Sequence, residues 1–193
     1  IKKYKPDLLK SSSSLEITDI HRKKTDIFIS KITDGLISLR IGVERLIYEA
    51  KDNNLRLGIA TTTSFENVRA ILESSLGKGA MNNFEIVGAG DVVKNKKPSP
   101  EIYNYVLKKM NLSAKDCIAF EDSEIGFKAS TASGLNTVVT LSEYTMADNF
   151  KGALVVLDHL GEENQPFQMV YGMPTHHTMV GVDYLKELYE CTN

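Results

Sequence analysis

Cys117-Ile118-Ala119-Phe120-Glu121-Asp122-Ser123 is the stretch on which the architecture turns. Its first four residues are apolar without a polar interruption, whereas a half-exposed strand would alternate. An unbroken apolar run this short fits a strand covered on both faces, as parallel strands are when crossover helices flank them. The run ends directly in two acids. A helical pattern then extends from about Ser123 to Ser133 and is closed by Gly134.

Working outward, the same alternation of strand and helix recurs. Ser99 and Pro100 open a helix, with proline at the first helical position, where its missing N–H costs nothing. Ile102, Tyr105, Val106 and Met110 form its expected apolar face. Phe84 to Val87 reads as a short strand and Phe65 to Gly77 as a helix. Leu55, Leu57 and Ile59 alternate with Arg56 and Gly58, the pattern of a strand, which runs into the hydroxyl-rich turn Thr61-Thr62-Thr63-Ser64. Val43, Leu46, Ile47 and Ala50 share one face of a helix after Gly42. Thr18 to Thr33 is a further helix, with Thr18 able to cap its start and Gly35 to end it. Downstream, Thr137–Thr140 and Leu154–Leu157 are strands. Strand and helix thus alternate over about residues 42 to 160, which predicts an α/β fold with one doubly wound parallel sheet. Ligands of such sheets bind at the carboxyl ends of the strands.

Three polar clusters stand at those ends. Thr61 follows the first strand, and its hydroxyl, with backbone N–H groups of the turn, can hold a phosphate oxygen. Equally, Thr61 to Ser64 are residues that cap a helix. Lys97 lies in Lys94-Asn95-Lys96-Lys97-Pro98-Ser99-Pro100, where Pro98 drives it toward an extended backbone and the prolines stiffen the loop. So held, it can set a positive charge against a phosphoryl group or a carboxylate; the plainer reading is a solvated basic loop. Glu121 and Asp122 are costly at a buried strand end unless they meet a cation. Mg2+ takes one or two carboxylates together with phosphate and water, while a helix cap by Asp122 or Ser123 accounts for the same residues.

The order of the clusters is more specific than any one of them. The segments Gly58 to Ser64, Lys96 to Tyr103 and Ala119 to Gly126 resemble the second, third and fourth motifs of the haloacid dehalogenase superfamily, in its CbbY-like branch, which also holds β-phosphoglucomutase and phosphoglycolate phosphatase relatives. The triple threonine with Ser64 and Asn67, and the segment Phe150 to Gly161, favour that branch. The resemblance covers roughly residues 18 to 161. It implies a Rossmann-like core at residues 37–161, a remnant of a helical cap at 1–36, and an unassigned extension at 162–193. It also implies a Mg2+-dependent phosphatase acting on a phosphorylated sugar through an aspartyl-phosphate, with xylulose 1,5-bisphosphate as the sugar of the branch. By the resemblance, Thr61 and Lys97 are catalytic and hold the phosphate, with Thr62 and Asn67 beside them. Asp122 ligates Mg2+, and Glu121 supports it directly or through water. Lys24, in the basic segment His21 to Thr25, faces the substrate from the cap, unless that segment is simply a solvated helix face.

One departure is large. The family's nucleophile and its acid/base are the two aspartates of an Asp-x-Asp motif after the first core strand. No two aspartates in this chain stand two positions apart. The resemblance therefore places the nucleophile, and the central strand that carries it, outside these residues; the alternative is an inactive form that only binds phosphate or metal. Ile41, where relatives usually have proline, predicts a local loop change. His176 and His177 are adjacent, and neighbours in a strand or helix face different ways, so Glu162 to Asn193 is expected to be a surface tail.

Other classes are excluded by pattern. A signalling receiver places its acids before the hydroxyl and lysine, the reverse of the order here. There is no G-x-x-x-x-G-K-[ST] nucleotide loop. A formal net charge of −2 gives no reason to expect a nucleic-acid partner. No apolar run approaches the ~20 residues that span a bilayer. Cys117 and Cys191 make neither a disulfide framework nor a zinc quartet, which suggests a reducing, cytoplasmic compartment; the resemblance implies a small-molecule sugar phosphate as partner, and a monomer is expected. A plastid location stays open, because the chain starts at Ile1.

Overall fold

The computed structural model describes residues 14–192. Helix α1 (Ser14–Thr33) leads in and ends at Gly35, whose φ of 70° is the left-handed stop expected of it. Its Ile32 is buried, and the Ser74 hydroxyl donates to the Ile32 carbonyl at 3.2 Å, fastening the end of α1 to the core. After the loop, Gly42 (φ 83°) starts α2 (Val43–Asp52), which buries Leu46, Ile47 and Ala50, the predicted face. A Cβ on Gly42 would lie 2.6 Å from the Gly161 carbonyl oxygen, so only glycine lets the loop after Ile41 pass the end of the core.

The core proper runs β1 (Gly58–Ala60), α3 (Phe65–Leu76), β2 (Ile86–Gly88), α4 (Glu101–Met110), β3 (Ile118–Glu121), α5 (Glu124–Ala132), β4 (Asn136–Thr140) and β5 (Val155–Leu157). β1 is shorter than the Leu55–Ala60 alternation predicts, because Leu55 is exposed and pairing begins only at Gly58. Parallel pairing joins β1 to β2, Gly58 opposite Ile86 and Ala60 opposite Gly88. It also joins β3 to β4 and β4 to β5. The fold is thus α/β with parallel strands and crossover helices, as expected.

Two expectations are corrected. The strands do not make one continuous sheet: β1–β2 stand as a pair and β3–β4–β5 as a second group. Among the described residues, β1 has no partner on its side away from β2, and β3 none on its side away from β4. Both still meet one core cluster, which contains Ala119 of β3 with Ile102 and Tyr103 and against which Ala60 of β1 packs. β3 is also not covered on both faces. Ala119 and Glu121 are buried, but Phe120 is 39% exposed, since β3 is an edge strand with its covered face toward Ala129 and Tyr103. β5, flanked on both sides, is buried throughout.

Nor do residues beyond Glu162 form a surface tail. β6 (Met169–Tyr171) adds antiparallel to β5, and α6 (Val182–Glu190) returns across the sheet. Val180, Tyr184 and Leu188 are buried in the largest core cluster beside Leu46, Val138, Val155 and Leu157. Tertiary contact explains why pattern failed here: β6 is only three residues long, and α6 has no side-chain cap of its own, so both are fixed by their packing on β5 and α2. Arg45 on α2 bonds the carbonyls of Gly161 at 3.0 Å and Val180 at 3.2 Å, and the Glu49 carboxylate accepts from the Val182 N–H at 2.7 Å. Helix α6 therefore receives its N-terminal cap from α2. Among the described residues, no helix is long and apolar enough to cross a membrane.

Candidate active site

The turn after β1 is built by its own hydroxyls. The Thr61 N–H continues the ladder to the Gly88 carbonyl at 2.9 Å. Its Oγ1 accepts from the Thr63 N–H at 3.2 Å, which leaves the Thr61 O–H as a donor for a ligand. Ser64 caps α3 by accepting from the Asn67 N–H, and the Asn67 amide donates to Thr63 Oγ1 at 2.9 Å. Asn67 is buried, so it braces the turn, and its Oδ1 has no hydrogen-bond partner among the described residues. Thr62 is exposed. Behind it stands Gly90, which sequence pattern did not single out. A Cβ there would lie 2.4 Å from the Thr62 carbonyl oxygen, and the Gly90 N–H donates to the Thr63 carbonyl at 2.8 Å. The threonine turn is thus held from beneath by the chain leaving β2.

Lys97 and Glu121, far apart in sequence, are brought together. Lys97 Nζ lies 2.5 Å from Glu121 Oε1, with the side chains only 12% and 7% exposed. The Tyr103 hydroxyl donates to the same oxygen, and the ammonium sits 4.8 Å from the centroid of the Tyr103 ring. A buried ion pair needs further partners to offset its desolvation; here a phenol and an aromatic face supply two of them. Burial, then the neighbouring Glu121 charge, pushes the Tyr103 phenol well above its usual range, so it stays protonated and donates. Tyr103 is the principal residue that pattern missed. The expected apolar face of α4 held Tyr105, yet the structure buries Tyr103 with Ile102, Val106 and Met110. Its position in the helix turn that follows Lys97 was the available signal.

Glu121 is further confined by α5. A Cβ on Gly126 would fall 1.8 Å from Glu121 Oε2, so the carboxylate lies directly against the first turn of the helix, where positive dipole and N–H groups favour it. The glycine of the fourth motif makes room for the acid of the same motif. Asp122, one residue on, is exposed; its charge also raises the Tyr103 phenol, which places it in the same electrostatic neighbourhood. Lys24 is exposed on α1, away from the anchoring contact of that helix at Ile32. The donor set suits a hard divalent cation at Asp122, which is open to solvent. It does not suit direct ligation by Glu121 Oε1, already shared by Lys97 and Tyr103. Lys97 keeps two further N–H donors for an anion.

Residues 4–140 match the family model described as haloacid dehalogenase-like hydrolase. The chain is 41% identical over 151 residues to protein CbbY of Rhodobacter capsulatus, covering 78% of this chain and 66% of that protein. It is 36% identical over 146 residues to a CBBY-like protein of Arabidopsis thaliana, covering 76% of this chain and 46% of that one. Among solved structures, CbbY from Rhodobacter sphaeroides, crystallised as a mutant in complex with xylulose 1,5-bisphosphate and also with phosphate, superimposes with a TM-score of 0.72 at 41% identity, covering 76% of this chain and 65% of that one. β-Phosphoglucomutase from Clostridium difficile shares the fold at a TM-score of 0.67 and 22% identity, over 94% of this chain and 70% of that one. The chain spans just under two thirds of the length of the first curated relatives it matches.

Proposed function

The chain belongs to the haloacid dehalogenase-like hydrolase family, and from that premise we propose that it supplies the phosphate-binding half of a Mg2+-dependent sugar phosphatase. The observation that carries this reading is the buried Lys97–Glu121 pair, capped by Tyr103 and standing at the carboxyl end of a parallel strand. Phosphoryl transfer needs positioning and charge stabilisation above all. A lysine pinned at one N–H by a buried carboxylate, with two donors left, is such a device. Glu121 aims the ammonium; Thr61 offers its hydroxyl proton to a phosphate oxygen; Thr62 and the turn N–H groups lie beside it. Asp122 is the residue for Mg2+, which when bound offsets phosphate charge as a Lewis acid. Lys24 and Asn67 take lesser parts, one as an outlying cation and one as a brace of the turn.

The attacking carboxylate comes from outside these 193 residues. Among the described residues, β1 and β3 each have one unpaired edge over a shared core, which supports the carboxylate's arriving on a parallel strand seated between them. Xylulose 1,5-bisphosphate is the substrate to try first, because a relative 41% identical is crystallised with it. The absence of any Asp-x-Asp pair in the chain favours a second reading, a form that binds phosphate and turns nothing over. Phosphate release from the bisphosphate, with and without Mg2+, separates the two. The protein with any upstream segment present should hydrolyse it in a Mg2+-dependent way, and Lys97→Ala or Asp122→Asn should each lower the rate by at least about 100-fold. Near-normal turnover in either variant refutes the assignment of residues. Turnover by the 193-residue chain alone refutes the external nucleophile.

A further inference from the structure

His176 and His177 do face the same way, because they lie in the loop between β6 and α6 and the alternation of a strand or helix does not apply. Their rings stack with centroids 4.3 Å apart. His177 in turn lies 4.9 Å from the ring of Tyr184, which stacks on Phe167 at 6.0 Å. The loop is tied at several points. The His177 N–H donates to Thr175 Oγ1 at 3.1 Å, the Thr178 carbonyl accepts from the Phe167 N–H at 2.9 Å, and the Val180 N–H donates to the Leu160 carbonyl at 2.7 Å. Glu187, one turn after Tyr184 on α6, brings Oε1 to 2.9 Å from His177 Nε2. One ligand atom from each of His176, His177 and Glu187 lies within 4.8 Å of the others.

From this geometry we propose that His176, His177 and Glu187 bind a Zn2+ ion, which clamps the loop after β6 onto α6. Two imidazoles and a carboxylate are a ligand set of zinc, with a fourth position left for water. Tetrahedral zinc with bonds near 2.0 Å holds its ligand atoms about 3.3 Å apart. His176, which is exposed, has to move its ligand atom by little more than an ångström to close the remaining distance. His176, Tyr184 and Glu187 line one cavity of about 300 Å³ against α6, which leaves room for the ion and for a water at its fourth position. Imidazole donors select against Mg2+, which takes oxygen, so the site is independent of the one at Asp122. Cys191 borders the cavity but is not among the clustered ligands.

The test is Zn2+ titration of the chelator-treated, tag-free 193-residue chain by calorimetry, with excess Mg2+ present, followed by thermal melting with and without Zn2+. One ion per chain and a melting temperature that rises with Zn2+ are expected. His176→Ala and His177→Ala should each weaken binding by at least about 100-fold, more than loss of an outer-shell partner does. Cys191→Ser should bind as the parent does. Cobalt(II) in place of zinc should give the strong visible absorption of a tetrahedral site, and this should vanish in Glu187→Gln. The proposal is overturned if the parent and the histidine variants, folded by circular dichroism, take up Zn2+ equally or not at all. It is also overturned if Mg2+ displaces the ion or if Cys191→Ser abolishes binding.

Discussion

The Glu121 carboxylate is constrained from three sides. Lys97 and Tyr103 share one of its oxygens, and the other lies against the bare Cα of Gly126. Gly126→Ala would drive a methyl group to 1.8 Å from that oxygen. The end of a side chain usually swings aside cheaply, but this one is held by an ion pair and a phenol. The substitution should therefore cost about 1–3 kcal/mol, the range for overpacking, read as a lower urea midpoint with an unchanged slope. Tyr103 adds a dependence on pH. Its folded pKa is raised above the unfolded value of about 10. The stability it contributes is thus complete below about pH 10 and is lost as the pH rises from there toward the folded value. In denaturation at a series of alkaline pH values, Tyr103→Phe should remove that part of the slope.

Helix α6 shows how one element depends on another. Its N-cap position is Gly181, which has no side chain to accept from the first turn. Glu49 supplies the acceptor instead, bonding the Val182 N–H at 2.7 Å while Arg45 holds the same carboxylate at 2.9 Å. A Cβ on Gly181 would lie 2.8 Å from that carboxylate, so the missing side chain is what lets α2 do the capping. Glu49→Ala should behave as the loss of an N-cap, about 0.5–2 kcal/mol. Amide exchange should quicken through the first turn of α6 before it changes in β4 or β5. Exchange unchanged in that turn would show that water replaces Glu49 without cost.

The molecule is held together by its last residues as much as by its motifs. Val180, Tyr184 and Leu188 close the cluster around Val155 and Leu157, and burying one such side chain is worth about 1.5–3 kcal/mol. Three of them amount to a large share of the ~5–15 kcal/mol that stabilises a domain. A chain ended at Gly161 should therefore lose cooperative unfolding and bind a hydrophobic dye, although the second, third and fourth family motifs are retained. A sharp melt in the shortened chain would show that the core closes without α6.

Much of the core was legible from local pattern. The apolar runs before Glu121 and at Val155–Leu157, the face of α2, and the glycine stops after α1 and α5 are local, because periodicity and capping depend on near neighbours. The positions of Thr61, Glu121 and Asp122 at strand ends were legible too, because each follows a stretch with a strand pattern, whereas Lys97 stood out only by its proline-stiffened loop and by family resemblance. What local pattern could not supply were contacts between distant segments. Lys97 meeting Glu121, Tyr103 buried in place of Tyr105, Glu49 capping α6, and two adjacent histidines stacking in one direction all depend on the packing of remote elements. The division into two strand groups belongs there too. Strand propensity is a property of a few residues, but which edge a strand presents, and to what, is decided only when the whole chain is arranged around a common core.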